Sequence, residues 1–182
     1  MTNSKNEPSS LQGLPFFSYG FRPFFLSAAV FAGVALPIWA MILSGADNTD
    51  FLYAPREWHV HEMVFGFLPA VIAGFLFTAM PNWTDRPPIM GVPLMGLWTL
   101  WLAGRLVIAI PWPPPLVCAI IDGAFLVALA IIAWREIAIG KAWDRAPIGV
   151  LISLYAIANL LFHMSALNDS ATDLPVRMGL LI

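Results

Sequence analysis

The chain has 182 residues, of which 59% are hydrophobic and 11% are charged, and its formal net charge is −2. A soluble domain carries about 25% charged residues, so the composition excludes an ordinary soluble protein and indicates an integral membrane protein. The small net charge and the absence of a basic run argue against nucleic-acid binding, and a single cysteine excludes an internal disulfide.

Long apolar segments predict an all-α, polytopic transmembrane helix bundle with about five complete spans, since a span needs about 20 mostly apolar residues. Residues 1–14 are polar and are expected to form a loose N-terminal tail. The last apolar run, residues 178–182, is expected to begin a sixth span. We therefore expect a single transmembrane domain over residues 1–182. The predicted complete spans lie near residues 24–43, 60–80, 90–110, 116–134 and 147–167.

The second predicted span opens with three ionisable residues, His59, His61 and Glu62. Such groups are costly in lipid and mark functional sites, and histidine is the commonest metal ligand. On a helix, His59 shares a face with Glu62 and suits a compact ion, whereas His61 lies on the bulky apolar side that a porphyrin favours. If the chain is still extended at Val60, both imidazoles face the same way. The alternative is that both histidines lie at the membrane interface and bind nothing.

Small residues recur at every fourth position along the same span, at Gly66, Ala70 and Gly74. They allow another helix to approach closely, because lipid provides no hydrophobic drive for helix association. We expect this face to pack against a neighbouring span. Pro69 removes one backbone N–H and favours a kink near the histidines.

Two opposite charges, Arg105 and Asp122, are predicted to meet between the third and fourth spans. Each lies about 9–11 Å along its helix from the same proline-rich turn. An arginine and an aspartate at matched depth on adjacent helices compensate each other, so we interpret them as a structural intramembrane pair that could also hold a haem propionate. The alternative is that Arg105 extends toward the headgroups.

Lysines and arginines in the loops predict a cytoplasmic N-terminus. This orientation places His59, His61 and Glu62 at the periplasmic end of the second span. His163 falls at the same end of the fifth span, on one helix face with Tyr155 and Asn159. The inner segments would hold Lys5, Arg22, Arg86, Arg135, Lys141 and Arg145, and the outer loops would hold Arg56 and Arg177.

Three stretches resemble the NnrS family: GFRPFF at residues 20–25, HVHEMVFGF at 59–67 and AVIAGFLFTAMPNWT at 70–84. The resemblance implies a bacterial inner-membrane protein that contains haem and copper and is linked to nitric oxide and nitrosative stress. Members of the family are longer, so the chain looks like the N-terminal half of such a protein. Besides the lipid bilayer, the implied partner is nitric oxide or a metal-nitrosyl species.

The resemblance and the histidines together give the candidate ligands. His59, His61 and His163 would bind the cofactor, and Glu62 would be a metal ligand or would orient a histidine. Neutral imidazoles suit both haem iron and copper. The alternative function is a membrane transporter or sensor that uses the same polar residues without a redox cofactor, since buried ionisable groups also suit a substrate or proton path.

The predicted topology can be tested with periplasm-active reporter fusions. A fusion at Asn48 should be active and a fusion at Lys141 should be inactive, because the positive-inside rule places the first loop outside and the loop after the fourth span inside. The opposite pattern of activities would contradict both the topology and the periplasmic position of the histidines.

Overall fold

The computed structural model describes residues 15–45, 51–111, 113–168 and 172–182. The predicted tail, residues 1–14, lies outside these described residues. The described chain is helical and contains no strand, which confirms the predicted all-α class. Short 3-10 helices at Pro15–Phe17 and Trp143–Arg145 accompany the longer elements, which are α1 (Phe21–Leu43), α2 (Pro55–His61), a π-helix (Glu62–Phe67), α3 (Leu68–Thr84), α4 (Val92–Ile108), α5 (Pro115–Ile139), α6 (Ala146–Leu167) and α7 (Asp173–Leu181).

Most predicted spans correspond to helices of sufficient length. Among the described residues, four helical stretches are long and apolar enough to cross a membrane: Phe21–Leu43, Pro55–Thr84, Pro115–Ile139 and Trp143–Ala166. The predicted third span is α4, which has 17 residues and is about 26 Å long, at the short end of the range for a span. The start of the predicted sixth span lies in α7, which has 9 residues.

The helix α5 occupies the centre of the bundle, with its largest interfaces against α4 and α6, while α1 packs on α3. Aromatic rings connect these layers. The ring of Phe24 lies 5.8 Å from that of Phe77 and 5.7 Å from that of Phe125. Some positions of α1 face outward: Val30 is more than half exposed and Leu36 is about half exposed. Such exposure is expected for a surface in contact with lipid.

The small residues of the second span lie in close contacts with different partners. Ala70 is fully buried. A Cβ atom at Gly74 would lie 2.6 Å from Cδ1 of Phe25, so α1 approaches α3 closely there. The space beside Gly66 is filled by the guanidinium of Arg105 rather than by another helix backbone.

The second span contains a change of helical register between α2 and α3. In the π-helix Glu62–Phe67 the hydrogen bonds reach five residues back, and the N–H of Leu68 accordingly bonds to the carbonyl of Met63. In this register the next N–H would bond to the carbonyl of Val64, but residue 69 is Pro69 and has no N–H. The proline therefore leaves a backbone acceptor open inside the bundle.

Side chains from two neighbouring helices satisfy carbonyls of the π-helix. The hydroxyl of Tyr155 in α6 donates to the carbonyl of Val64. The indole N–H of Trp101 in α4 donates to the carbonyl of Gly66 at 2.9 Å. Because lipid offers no water for an open carbonyl, these bonds stabilise the π-helix and fix α4 and α6 around it.

At the end of the bundle opposite the π-helix, the buried carboxylate of Glu136 holds neighbouring segments together. Nε of Arg86 lies 2.5 Å from one oxygen of Glu136, and Arg135 bonds to the other. A Cβ atom at the neighbouring Gly140 would lie 2.7 Å from the backbone oxygen of Thr84. The ends of α3 and α5 are thus fixed to each other by charge and by close backbone contact.

This close contact predicts the effect of one methyl group. Gly140→Ala should destabilise the protein by about 1–3 kcal/mol, because the added atom meets backbone that cannot rotate away. Gly96→Ala is the control: a Cβ there has nothing within 4 Å, so the change should be neutral or stabilising by up to about 1 kcal/mol. Thermal unfolding in detergent measures both, and equal melting temperatures for the two variants would contradict the contact.

Candidate functional site

Polar side chains from five elements converge in the interior of the bundle. The π-helix and the adjoining end of α2 lie there against α4, α5 and α6, and a residue from the loop before α2 covers them. Apart from this half-buried tyrosine, every member of the group is at most 6% exposed. We call this group the polar cluster; it consists of Tyr53, His61, Glu62, Arg105, Asp122, Asn159 and His163.

The guanidinium of Arg105 lies between two carboxylates. Its Nη1 donates to Oε1 of Glu62 at 2.7 Å, and its Nη2 donates to Oδ1 of Asp122. The two residues expected to pair, Arg105 and Asp122, are therefore in direct contact, and Glu62 is a second partner that the spacing did not indicate. A buried charge must be paired and hydrogen-bonded in this way to be tolerated.

The two carboxylate oxygens of Asp122 have different partners. Oδ1 accepts from Arg105, whereas Oδ2 accepts from Nδ2 of Asn159 and from Nε2 of His163, both at 2.9 Å. Nε2 of His61 lies 3.3 Å from the same Oδ2. The imidazoles of His61 and His163, which belong to different helices, therefore both lie against this one oxygen atom.

The tautomer of His163 follows from its two neighbours. Its Nε2 faces a carboxylate oxygen, which can only accept, so that nitrogen carries the hydrogen. The other nitrogen, Nδ1, is bonded to the hydroxyl of Tyr53 and accepts from it. Burial, together with the negative charge of Asp122, raises the pKa of Tyr53, so the phenol stays protonated and keeps this donor role.

His61 requires one more proton than a neutral imidazole holds. Its Nδ1 lies 3.1 Å from Oε1 of Glu62, and its Nε2 lies 3.2 Å from Oδ1 of Asn159. Both nitrogens therefore face oxygens, so a proton is shared between His61 and Glu62. With that proton, two carboxylates are balanced by one guanidinium and one further positive charge. The polar cluster is then electrically neutral, as the low dielectric of the membrane favours.

The structure separates His59 from the polar cluster. Its ring stacks on Trp39, with ring centroids 4.5 Å apart and an interplanar angle of 5°. Its Nδ1 is buried without a hydrogen-bond partner among the described residues. The expectation that His59 rather than His61 shares a face with Glu62 is wrong, because the wider turn of the π-helix changes the angular relation between residues on either side of its start.

Three members of the polar cluster could hold a metal ion. His61, Asp122 and His163 each offer a ligand atom, and these atoms all lie within 4.8 Å of one another. Imidazole nitrogens with a carboxylate oxygen suit first-row transition metals. Glu62 lies beside His61 and could orient it as outer-shell partners do.

The same geometry bears on haem. The ring centroids of His61 and His163 are 5.0 Å apart, and Phe162 packs against His61 at 4.9 Å. His61 is 0% exposed. A porphyrin does not fit between two imidazoles in such contact, so this arrangement suits a compact ion and not a haem held by both histidines.

Comparison with known protein families matches residues 15–182 to the family described as NnrS protein. Searches of curated proteins and of solved structures give no match. The matched residues include every member of the polar cluster and also His59.

The pairing within the polar cluster predicts a specific rescue. Arg105→Met leaves the two buried carboxylate charges with only one positive charge beside them and should destabilise the protein by about 3–5 kcal/mol. Adding Asp122→Asn removes one of these charges, so the double variant should be more stable than Arg105→Met alone. Melting temperature and monodispersity in detergent measure both effects.

An exposed ion pair provides the control for this rescue. Arg145 and Asp144 lie 3.0 Å apart and are largely exposed, so Arg145→Met and Asp144→Asn should each change stability by less than about 1 kcal/mol. If the effects of Arg105→Met and Asp122→Asn simply add, the two buried side chains do not interact.

Proposed function

The chain belongs to the NnrS family, and we propose that it is a multi-pass protein of the bacterial inner membrane that binds a redox metal and acts in the response to nitric oxide and nitrosative stress. Its membrane-span-like helices support the location. The observation that carries the proposal is the buried group of two histidines and one aspartate in the bundle interior. A site enclosed by lipid and aromatic rings is accessible to a small uncharged molecule such as nitric oxide.

Copper fits this group better than a divalent ion such as zinc. Imidazole is a suitable copper ligand, and the shared proton between His61 and Glu62 can be exchanged for a monovalent cuprous ion without any change in net charge. A divalent ion would leave an extra positive charge in a medium that disfavours it. When bound, copper would supply one-electron chemistry and a coordination position for a diatomic ligand.

Each neighbour of the ligands has a distinct role in this proposal. Asp122 would be the ligand that Arg105 holds in place through its other oxygen. Glu62 would orient His61 through the hydrogen bond that joins them. Tyr53 would hold His163 in the tautomer described above and would cover the candidate metal ligands on the side of the loop before α2. The hydrogen bonds of these groups fix the orientations of the two histidines and of Asp122.

Haem, which the resemblance also implies, would have a different ligand in this chain. His59 lies outside the polar cluster at the start of the second span and is partly exposed, unlike the fully buried His61. Its stacking on Trp39 fixes the plane of the imidazole. We assign any haem ligation by this chain to His59, which reverses the expectation that His61 binds haem and His59 binds copper.

A transporter or sensor without a redox cofactor is the second candidate, favoured by one observation. Hydrogen bonds join Tyr53 to His163, His163 to Asp122 and His61 to Glu62. An ion-pair contact of 3.3 Å between Asp122 and His61 connects the two parts. This continuous chain joins a loop residue to the bundle interior, as a proton path would. Metal content distinguishes the candidates, because a proton path needs no bound metal.

The test is cofactor content in protein purified from membranes. His61→Gln and His163→Gln should each lower copper affinity by more than about tenfold, since loss of even an outer-shell partner costs that much, whereas His59→Gln should keep copper and lose haem. Elemental analysis measures copper, and the pyridine haemochrome assay measures haem. If all three variants retain full copper and haem, the proposed ligands are wrong and the histidines bind neither cofactor.

A further inference from the structure

A cleft of about 380 Å³ runs along the outer side of the bundle between α1 and α4. Its rim on α1 consists of Leu26, Val30 and Val34, which are 56%, 59% and 53% exposed. Their exposure on a helix that crosses the membrane places the mouth of the cleft in the lipid region. The volume lies in the range of about 300–1,000 Å³ that is typical of small-molecule sites.

The cleft reaches the polar cluster at one residue, Arg105, which contributes to its lining. Arg105 is only 6% exposed. Its two terminal nitrogens donate to Glu62 and Asp122, but its Nε–H has no hydrogen-bond partner anywhere in the described chain. A buried N–H without an acceptor is unfavourable and indicates an oxygen that is still to be supplied.

The charge around Arg105 selects the kind of oxygen. Its positive charge is already compensated by Glu62 and Asp122. A carboxylate or phosphate in the cleft would therefore add an uncompensated negative charge in a low dielectric. A neutral carbonyl oxygen can accept from Nε–H without this penalty.

The walls of the cleft are aromatic and present few free donors. The rings of Phe31 and Trp101 lie edge to face at 6.0 Å, and the guanidinium carbon of Arg105 lies 5.9 Å from the ring centroid of Phe31. The indole N–H of Trp98 donates to Ser27 at 2.7 Å, and that of Trp101 donates to a backbone carbonyl. The partly exposed Trp98 thus offers ring surface, which suits a planar ring ligand.

We propose that the cleft between α1 and α4 binds a lipid-soluble quinone, with its ring against Phe31 and Trp98 and one carbonyl oxygen on Nε–H of Arg105. The opening toward lipid provides the entry path, and the neutral carbonyl matches the compensated guanidinium. This site goes beyond the proposed function and does not depend on it, since neither the cleft nor the free Nε–H involves a metal ion.

The experiment is competition photolabelling of the full chain in lipid nanodiscs. An azidoquinone is irradiated with and without excess decylubiquinone, and the labelled peptides are mapped by mass spectrometry. We expect label on residues 21–43 and 92–108 that decylubiquinone removes. Label on other helices, or label that excess phospholipid removes and decylubiquinone does not, overturns the proposal, the second result indicating an ordinary lipid in the cleft.

Variants locate the site within these helices. Val30→Trp places a large ring in the middle of the rim and should reduce competed labelling by at least about tenfold. Val150→Trp is the matched control, because Val150 is a 45% exposed valine on α6 that does not contribute to the lining of this cleft; its labelling should be unchanged. Equal labelling of the two variants overturns the proposal.

Arg105→Lys tests the hydrogen bond, since lysine keeps the charge and lacks Nε–H. Labelling that stays unchanged in a folded Arg105→Lys variant excludes Arg105 as the carbonyl partner. If this variant does not fold, the comparison of Val30→Trp with Val150→Trp still decides, because neither residue is part of the polar cluster. Copper content of Val30→Trp should equal that of the unmodified protein, which separates failure of this proposal from failure of the metal site.

Discussion

The buried guanidinium of Arg105 is the constraint on which the rest of the structure depends. It joins α4 to the π-helix through Glu62 and to α5 through Asp122. No water is available inside a membrane to solvate a charge, so these three groups must remain together for any of them to be tolerated. The positions of the histidines follow from this arrangement, because His61 adjoins Glu62 in the chain and His163 bonds to Oδ2 of Asp122, the oxygen that does not contact Arg105.

The register change in the second span creates the space and the bonds that this arrangement needs. Gly66 lacks a Cβ atom where the guanidinium of Arg105 passes, so the small residue accommodates a side chain and not a helix backbone. Pro69 leaves the carbonyl of Val64 without its backbone donor, and Tyr155 supplies one. π-Helices often occur at functional sites, and here the altered register brings His61 and Glu62 to the same group while His59 points elsewhere.

The positions of the apolar helices and the depth of polar residues along them could be predicted from the sequence. The rotation of each helix about its own axis could not. The helices follow from apolar length, and the level of Arg105 and Asp122 follows from counting residues back to a shared turn, so their contact was accessible to prediction. The directions in which His59 and His61 point were not accessible to prediction. The π-helix changes the number of residues per turn, so positions around the helix that are calculated for a regular α-helix no longer hold. Tyr53 was also inaccessible, since a loop residue has no periodicity that shows where its side chain lies.

Arginine at position 105 has a property that another cation would not provide. Its planar guanidinium has three nitrogens with fixed relative directions, of which two bind the carboxylates of the polar cluster and the third, Nε, remains without a partner in the described chain. The cluster and the α1–α4 cleft therefore share one rigid group. A ligand that displaces the guanidinium plane of Arg105 must also displace Asp122. Movement of Asp122 would in turn affect His61 and His163, which both lie against its Oδ2. The lining of the cleft and the hydrogen bonds that hold the candidate metal ligand Asp122 therefore meet at a single side chain.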